Sequence, residues 1–472
     1  MEKYKIYAAG EFIDGPKQLD IRRPFDSGLF AVTTSADQDI LHQAIMAARK
    51  AVDGIAGIPS HQRSRILDEI ADGILDKREK FTRIICEEAG KPYRFSMAEI
   101  DRAIQVFRIA AEETRRIPGE YLSLDWTVAG EGKEGWVRYF PLGVVGAISP
   151  FNFPLNLAVH KLAPAIASGN AVILKPASQT PVSVLELAKI IDATSLPKGA
   201  VSILPMDRST GTGLVTDPGV DMITFTGSPE VGWKLKALAG RKKVTLELGG
   251  NAGVLVSRSA DLNLAVNKCV AGGFAYSGQV CIHVQRIFVL KEHYPDFITR
   301  FVGRTLQLKR GNPLEPHTDI SVMIDEENAA RIETWVEEAR QGGAEILAGG
   351  HREGNWFEPT VLTNTRNDMK VSCQEAFAPM VLIEPVETFA DGVRQINDSV
   401  FGLQAGVFTN EIEEMNQAFR EIRVGGVVIN DVPTFRVDHM PYGGVKESGF
   451  GREGVRYAML DMMEPKLLVK NQ

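Results

Sequence analysis

Cysteine is scarce in this chain, with 4 in 472 residues: Cys86, Cys269, Cys281 and Cys373. None forms a CxxC pair, and no histidine and cysteine cluster has zinc-ligand spacing, so neither a disulfide framework nor a metal site is expected. So few thiols in so long a chain suit a reducing cytoplasm. A block of positive charge is missing too. With a net charge of −7 and no basic run, nucleic acid and anionic membrane surfaces are not expected as partners. Long apolar runs are absent. No stretch approaches ~18 apolar residues, so no membrane-spanning helix is expected. The charged start, Met1-Glu2-Lys3-Tyr4-Lys5, is followed by no apolar segment of the kind that a secretory signal needs. Internal repeats and low-complexity tracts are also lacking.

What remains is ordinary globular composition, 44% hydrophobic and 24% charged. The length corresponds to about three structural units at ~150 residues each. Helical spacing dominates 37–117. Ile40, Leu41, Ala44, Ile45 and Ala48 share one face of a first helix, Ser60 reads as the N-cap of a second reaching about Lys80, and a third runs from about Ser96 to Arg116. Over 119–140 the period changes to two. Leu122, Leu124, Trp126 and Val128 alternate before a turn at Gly130 and Gly132, and Val137 and Tyr139 alternate after it, which predicts a β-hairpin. Between 143 and 256, apolar runs at 143–148, 171–174, 201–204, 222–225, 244–248 and 253–256 alternate with helical segments such as 181–191 and 229–239. That alternation predicts βαβ units and a doubly wound parallel sheet. A second alternation fills 261–430, and 465–470 reads as a terminal strand.

Two glycine patterns resemble nucleotide fingerprints. Gly449-Phe450-Gly451-Arg452-Glu453-Gly454 fits GxGxxG, but too little chain follows it for a βαβ unit. Gly227-Ser228-Pro229-Glu230-Val231-Gly232 has P-loop spacing, with Trp233 where a lysine is needed. That stretch follows a strand and opens a helix. It is either a plain connection or a set of free N–H groups able to hold a phosphate. Asn152, between Pro150 and Pro154, is either a turn residue or an amide donor to an oxyanion.

The chemistry centres on two residues. Cys281 lies in a small, polar loop, Tyr276-Ser277-Gly278-Gln279-Val280-Cys281. Glu247 lies upstream in Leu246-Glu247-Leu248-Gly249-Gly250. A thiol nucleophile and a half-buried carboxylate can form a thioester and then hydrolyse it. Glu247 is either such a base, its pKa raised by desolvation, or a strand-end carboxylate facing solvent.

These residues, with Phe151-Asn152-Phe153-Pro154, Lys175-Pro176-Ala177-Ser178, Phe225-Thr226-Gly227-Ser228, Glu375-Ala376-Phe377-Ala378-Pro379 and Pro441-Tyr442-Gly443-Gly444, resemble the aldehyde dehydrogenase superfamily in order and spacing. The resemblance covers nearly the whole chain. It implies an α/β fold with a Rossmann-type NAD(P)-binding domain over 1–118 and 141–248 and an α/β catalytic domain over 249–453. It also implies a small β oligomerisation module over 119–140 and 454–472. A homodimer or homotetramer and a small-molecule aldehyde substrate come with it. In the implied mechanism Cys281 attacks the aldehyde, and Asn152 and the Cys281 N–H hold the oxyanion. Hydride passes to the cofactor, and Glu247 activates the water that hydrolyses the thioester. Lys161 and Glu453 match positions that relay the proton. Ser149, Pro150, Phe151, Phe225, Gly227 and Leu248 match the cofactor cleft. Lys175 and Ser178 match contacts to the adenosine ribose, Ser228 to the pyrophosphate, and Glu375 and Phe377 to the nicotinamide riboside.

The presence of Glu247 separates the chain from the coenzyme-A-acylating branch, which lacks this base. Ser178 stands where NAD-preferring members often carry glutamate, so acceptance of NADP alongside NAD is expected. The runs 151–161 and 425–431 resemble lactaldehyde dehydrogenases, which implies a short hydroxylated aldehyde as substrate. His160 and Val280 stand where succinate-semialdehyde and glyceraldehyde-3-phosphate enzymes respectively can place an arginine. Arg102, however, matches an arginine of relatives that bind anionic aldehydes, and Arg436 is a second cationic candidate. A non-phosphorylating glyceraldehyde-3-phosphate or semialdehyde dehydrogenase is the alternative. A helix-surface salt bridge is the simpler reading of Arg102.

Overall fold

A computed structural model describes residues 2–471. Met1 and Gln472, the outer ends of the first and last expected segments, lie outside the described residues. Two large sheets organise the chain. In the first, the strands Lys243–Glu247, Met222–Thr226, Val144–Ile148, Ala171–Lys175 and Val201–Ile203 lie side by side and parallel. The middle strands are mostly apolar and buried on both faces, as a parallel sheet covered by helices requires, and Lys243–Glu247 is buried from Thr245 onward. Antiparallel Ile6–Ala8 and Glu11–Ile13 extend one edge, and Gly449–Phe450 closes the other beside Lys243–Glu247. The second sheet has the order Glu345–Ala348, Thr360–Thr363, Met380–Val386, Arg286–Leu290, Gly253–Val256, Gln404–Phe408, Gly426–Ile429. The run 253–256 therefore belongs to this second sheet and does not continue the first alternation.

The helices before 117 follow the apolar spacing, with differences at their ends. The first is Gln38–Ala56, whose N-cap Asp37 accepts from the Ile40 N–H. The expected second helix is broken at Lys77 into Ser60–Asp76 and Arg78–Ala89, and Ser60 is its first residue, with no side-chain cap. The next helix begins at Tyr93, ahead of Ser96, because Pro92 sets the turn before it. The hairpin is Gly119–Ser123 with Lys133–Pro141, so its first arm is shorter than the alternation suggested. The terminal strand, Met463–Asn471, is longer than expected and pairs antiparallel along all of Lys133–Pro141. A further three-stranded sheet near the N-terminus, Glu2–Lys3, Leu29–Ser35 and Lys17–Arg22, had no clear period in sequence. Among the described residues, no helix is long and apolar enough to cross a membrane.

Candidate active site

The C-terminal ends of the first sheet's strands face a cavity of 290 Å³. Its lining brings together Asn152, Glu247 and Cys281 with Pro150, Phe151, Gly227, Ser228, Leu248, Glu375 and Phe377. These positions come from five separate stretches of sequence.

Cys281 follows a run in which Tyr276, Ser277 and Gly278 have φ of 47°, 53° and 69°. Left-handed backbone costs a residue with a side chain of order 1 kcal/mol or more, so the surroundings must hold it. The Tyr276 hydroxyl donates to the Ala89 carbonyl at 3.0 Å, and the Ser277 hydroxyl to the Ser321 carbonyl at 2.8 Å. At Gly278 a Cβ would stand 1.9 Å from the Ala378 carbonyl oxygen, so only glycine fits. Burial pushes the Cys281 thiol up to about 11, and the Tyr442 hydroxyl, 3.2 Å from Sγ, works against that rise.

Glu247 ends its strand at 3% exposure, which excludes the solvent-facing alternative. Neither carboxyl oxygen has a hydrogen-bond partner among the described residues. Desolvation, followed by the nearby charge of Glu453, holds its pKa well above the usual carboxylate range. Gly250 lets the Cys281 loop approach, since a Cβ there would lie 2.6 Å from the Cys281 carbonyl oxygen. The Gly250 N–H donates to Glu375 Oε1 at 3.0 Å, and burial raises that carboxyl to about 7.

Asn152 is buried, and its Nδ2 donates to the Gln279 carbonyl at 3.0 Å, joining the loop after Val144–Ile148 to the Cys281 loop. A few residues on, the Leu155 and Asn156 N–H groups donate to Glu99 Oε1 at 3.0 and 3.1 Å. Glu99 pairs with Lys91, and both are fully buried. The Lys91 ammonium lies 3.6 Å from the Phe153 ring centroid and 4.4 Å from that of Tyr276.

On the other side of the cavity the Phe151 and Phe377 rings meet edge to face, centroids 5.9 Å apart. Ser228 precedes the helix Pro229–Leu238 without capping it, which leaves its hydroxyl available. Ser149, Lys175, Ser178 and Phe225 stand outside this lining. The Ser149 N–H donates to the Lys175 carbonyl at 3.1 Å, and Phe225 lies behind Gly227. Ser178 is exposed and lines a separate pocket of 480 Å³ with Arg22, Arg23 and Asp325.

Behind Glu247 lies a buried polar network. Lys161 Nζ donates to Glu453 Oε1 at 3.0 Å and to the Thr226 hydroxyl at 2.8 Å. Arg436 donates to Glu453 Oε2 at 3.1 Å. Burial alone would raise Glu453, but Lys161 and Arg436 outweigh it and hold the carboxyl below its usual range. His160 Nε2 lies 2.9 Å from Asp438 Oδ1, which also accepts from Arg102 at 2.5 Å. Burial, then the Arg436 charge, lowers the His160 pKa and keeps the ring neutral. Arg102 is thus half-buried in an ion pair reaching across to the 430–442 segment, more than a helix-surface bridge.

The model of the aldehyde dehydrogenase family matches residues 12–468. The chain belongs to that family. It is an NAD(P)-dependent aldehyde oxidoreductase. It is 40% identical to the 3-sulfolactaldehyde dehydrogenase of Priestia megaterium over 100% of this chain and 98% of that one. It is 36% identical to the lactaldehyde dehydrogenase of Methanococcus aeolicus, over 99% and 100%. Its fold superposes on aldehyde dehydrogenase 21 of Physcomitrella patens, solved with the reaction product succinate, with a TM-score of 0.98, 40% identity and coverage of 100% and 98%.

Sequence reasoning missed six residues around this aldehyde dehydrogenase's cavity. Leu157, Thr226, Gly249, Asn328 and Arg331 line it, and Tyr442 touches the Cys281 sulfur. Asn328 and Arg331 sit on an ordinary amphipathic helix, Glu326–Gln341, and carry no local signal. Tyr442 lay inside a quoted motif, and its hydroxyl was the available clue.

Proposed function

We propose that this aldehyde dehydrogenase oxidises a short hydroxylated aldehyde, of the lactaldehyde kind, to its carboxylate. The observation that carries this reading is the meeting of Cys281, Glu247 and Asn152 in one cavity. Cys281, as thiolate, adds to the aldehyde carbon. The second N–H of the Asn152 amide and the Cys281 backbone N–H hold the oxyanion. NAD(P)+, when bound, supplies the hydride acceptor. The thioester left on Cys281 is hydrolysed by water that gives its proton to Glu247, and Lys161 and Glu453 carry that proton onward. The cleft suits such a cofactor. Phe151 and Phe377 offer apolar walls, Ser228 a free hydroxyl at a helix N-terminus, and Glu375 a carboxylate for a ribose. Ser178 brings no carboxylate of its own against a 2′-phosphate, which supports acceptance of NADP as well as NAD.

In this reading residues 1–118 and 141–248 form the cofactor unit, 249–453 the catalytic unit, and 119–140 with 454–472 the oligomerisation module. A homo-oligomer is supported by exposed Tyr121, Trp136, Leu467, Leu468 and Val469 on the three-stranded sheet, and by the outermost strand Gly426–Ile429 of the second sheet. Strand addition between copies would cover both.

An anionic aldehyde is the second reading, and a cluster of cations favours it. Arg102, Arg436 and Lys161 are gathered in one network, held there by Asp438 and Glu453. The names of the Priestia relative and the succinate-bound moss enzyme fit such a group. The test is an aldehyde panel run with NAD+ and with NADP+, following reduced-nicotinamide absorbance in wild type and Cys281→Ser. Lactaldehyde, glycolaldehyde, 3-sulfolactaldehyde and succinate semialdehyde should rank above long-chain and aromatic aldehydes. A preference of about a hundredfold for the latter, equivalent to ~2.7 kcal/mol, would reject the substrate assignment.

A further inference from the structure

The hydroxyl of Tyr442 lies 3.2 Å from Cys281 Sγ and has no other hydrogen-bond partner among the described residues. Its ring is 3% exposed, and the guanidinium carbon of Arg436 stands 3.7 Å from its centroid. The backbone fixes this placement. The Tyr442 N–H donates to the Glu453 carbonyl at 3.0 Å, and the Glu453 N–H returns the bond at 2.6 Å. Charged and titratable groups facing the sulfur are Glu375, Arg436 and Glu247, besides Tyr442 itself. The two carboxyls oppose a thiolate there, and burial opposes it further. Arg436 and the Tyr442 hydroxyl favour it, and Arg331 is a further cation on the cavity wall. Burial also keeps the phenol protonated, so toward a thiolate it can only donate.

We infer that Tyr442 is a further catalytic residue: its O–H donates to the Cys281 sulfur and stabilises the thiolate, and the Arg436 cation on its ring face strengthens that donor. This rests on the function proposed above. At the start the thiol proton leaves to solvent and sulfur forms the S–C bond to the aldehyde carbon. At the end the water oxygen bonds to the acyl carbon and a water proton passes to Glu247. The C–S electron pair returns to sulfur, where the same O–H receives it. Tyr442 thereby assists both the nucleophile and the leaving group.

The test uses the full chain without aldehyde or cofactor. Cys281 alkylation by iodoacetamide is followed across pH by peptide mass mapping in wild type and Tyr442→Phe, which keeps the ring and its stacking. The midpoint should rise by about one pH unit, making alkylation at neutral pH about tenfold slower, as expected for losing a donor to a charged acceptor. The acid limb of kcat/KM should shift in parallel. An unchanged or lowered midpoint overturns the inference. Arg436→Gln leaves the hydroxyl in place and should move the midpoint in the same direction by less, and a larger shift than that of Tyr442→Phe also overturns it. Wild-type protein inert toward every aldehyde would defeat the functional reading alone, because alkylation requires neither substrate.

Discussion

Replacing Lys91 by methionine tests how the oxyanion loop is held. Lys91 and Glu99 are fully buried partners. Glu99 also accepts the Leu155 and Asn156 N–H groups at the start of the helix Asn156–Ser168, which carries His160 and Lys161. Lys91 in turn is enclosed by Phe153 and Tyr276, one beside Asn152 and the other at the start of the nucleophile loop. Burial lowers the Lys91 pKa, and Glu99 works against that. Methionine preserves the length but leaves the Glu99 carboxylate stranded. Breaking a buried ion pair from one side costs about 3–5 kcal/mol. The lost cation–π contacts add ~1–2 kcal/mol. Sulfur–aromatic contacts of the new thioether return ~1 kcal/mol. A net loss of about 3–6 kcal/mol is therefore expected in the first transition of urea unfolding, followed by far-ultraviolet circular dichroism. Adding Glu99→Gln removes the stranded charge while keeping an acceptor for the two N–H groups. The double variant should recover to within about 1 kcal/mol of wild type. A Lys91→Met cost below about 1 kcal/mol, or a double variant as unstable as the sum of the singles, would refute a charged pair at this place.

Glu247→Gln should retain a single-turnover burst of reduced cofactor and lose about 10²–10⁴-fold in steady-state rate, read by stopped-flow absorbance; disappearance of the burst would contradict its role as the hydrolytic base. Asn152→Ala should lower kcat about 10²–10³-fold with Cys281 alkylation unchanged, since its amide acts on the oxyanion and not on sulfur. Ser178→Glu should cut kcat/KM with NADP+ by at least about tenfold and leave NAD+ turnover intact, and a wild type that already rejects NADP+ would argue against the 2′-phosphate account. The reactive form of Cys281 is the deprotonated one and burial raises its pKa to about 11, so kcat/KM should climb from neutral into alkaline pH and be lost as pH falls; a profile flat across that range would refute the protonated resting thiol.

The legible features of this chain are those whose cause is local. Apolar spacing over Gln38–Ala56 and the short valine- and isoleucine-rich runs reflect one face or one strand at a time, and the structure follows them closely. The nucleophile loop and the glycines after Glu247 were visible because tight backbone approaches demand small residues where they occur. Features that depend on distant chain were hidden. The break at Lys77 contains neither proline nor glycine; it is set by packing against later helices. The alternation through Trp126 and Val128 had no partner strand to meet, and both side chains are exposed. Asp438 binds Arg102 and His160 from far along the sequence, so the neutralising partner of a cationic substrate candidate could not be foreseen. Tyr442 was passed over for the same reason.

The Glu247 carboxyl and the Cys281 sulfur are mounted on different frameworks. Glu247 closes a strand of the first sheet, whereas Cys281 sits in the loop leading into Arg286–Leu290 of the second. In the proposed mechanism, attack on the aldehyde needs the thiol and its oxyanion donors, while release of the acid needs the Glu247 carboxyl as well. Asn152 also comes from the first sheet, but its bond to the Gln279 carbonyl ties it to the Cys281 loop, and Glu247 has no such tie; a slight misfit where the two sheets seat together would therefore slow release before it slowed attack. Acyl-enzyme would then accumulate, and a substitution remote from every reacting atom could convert a fast dehydrogenase into a trap for its own intermediate.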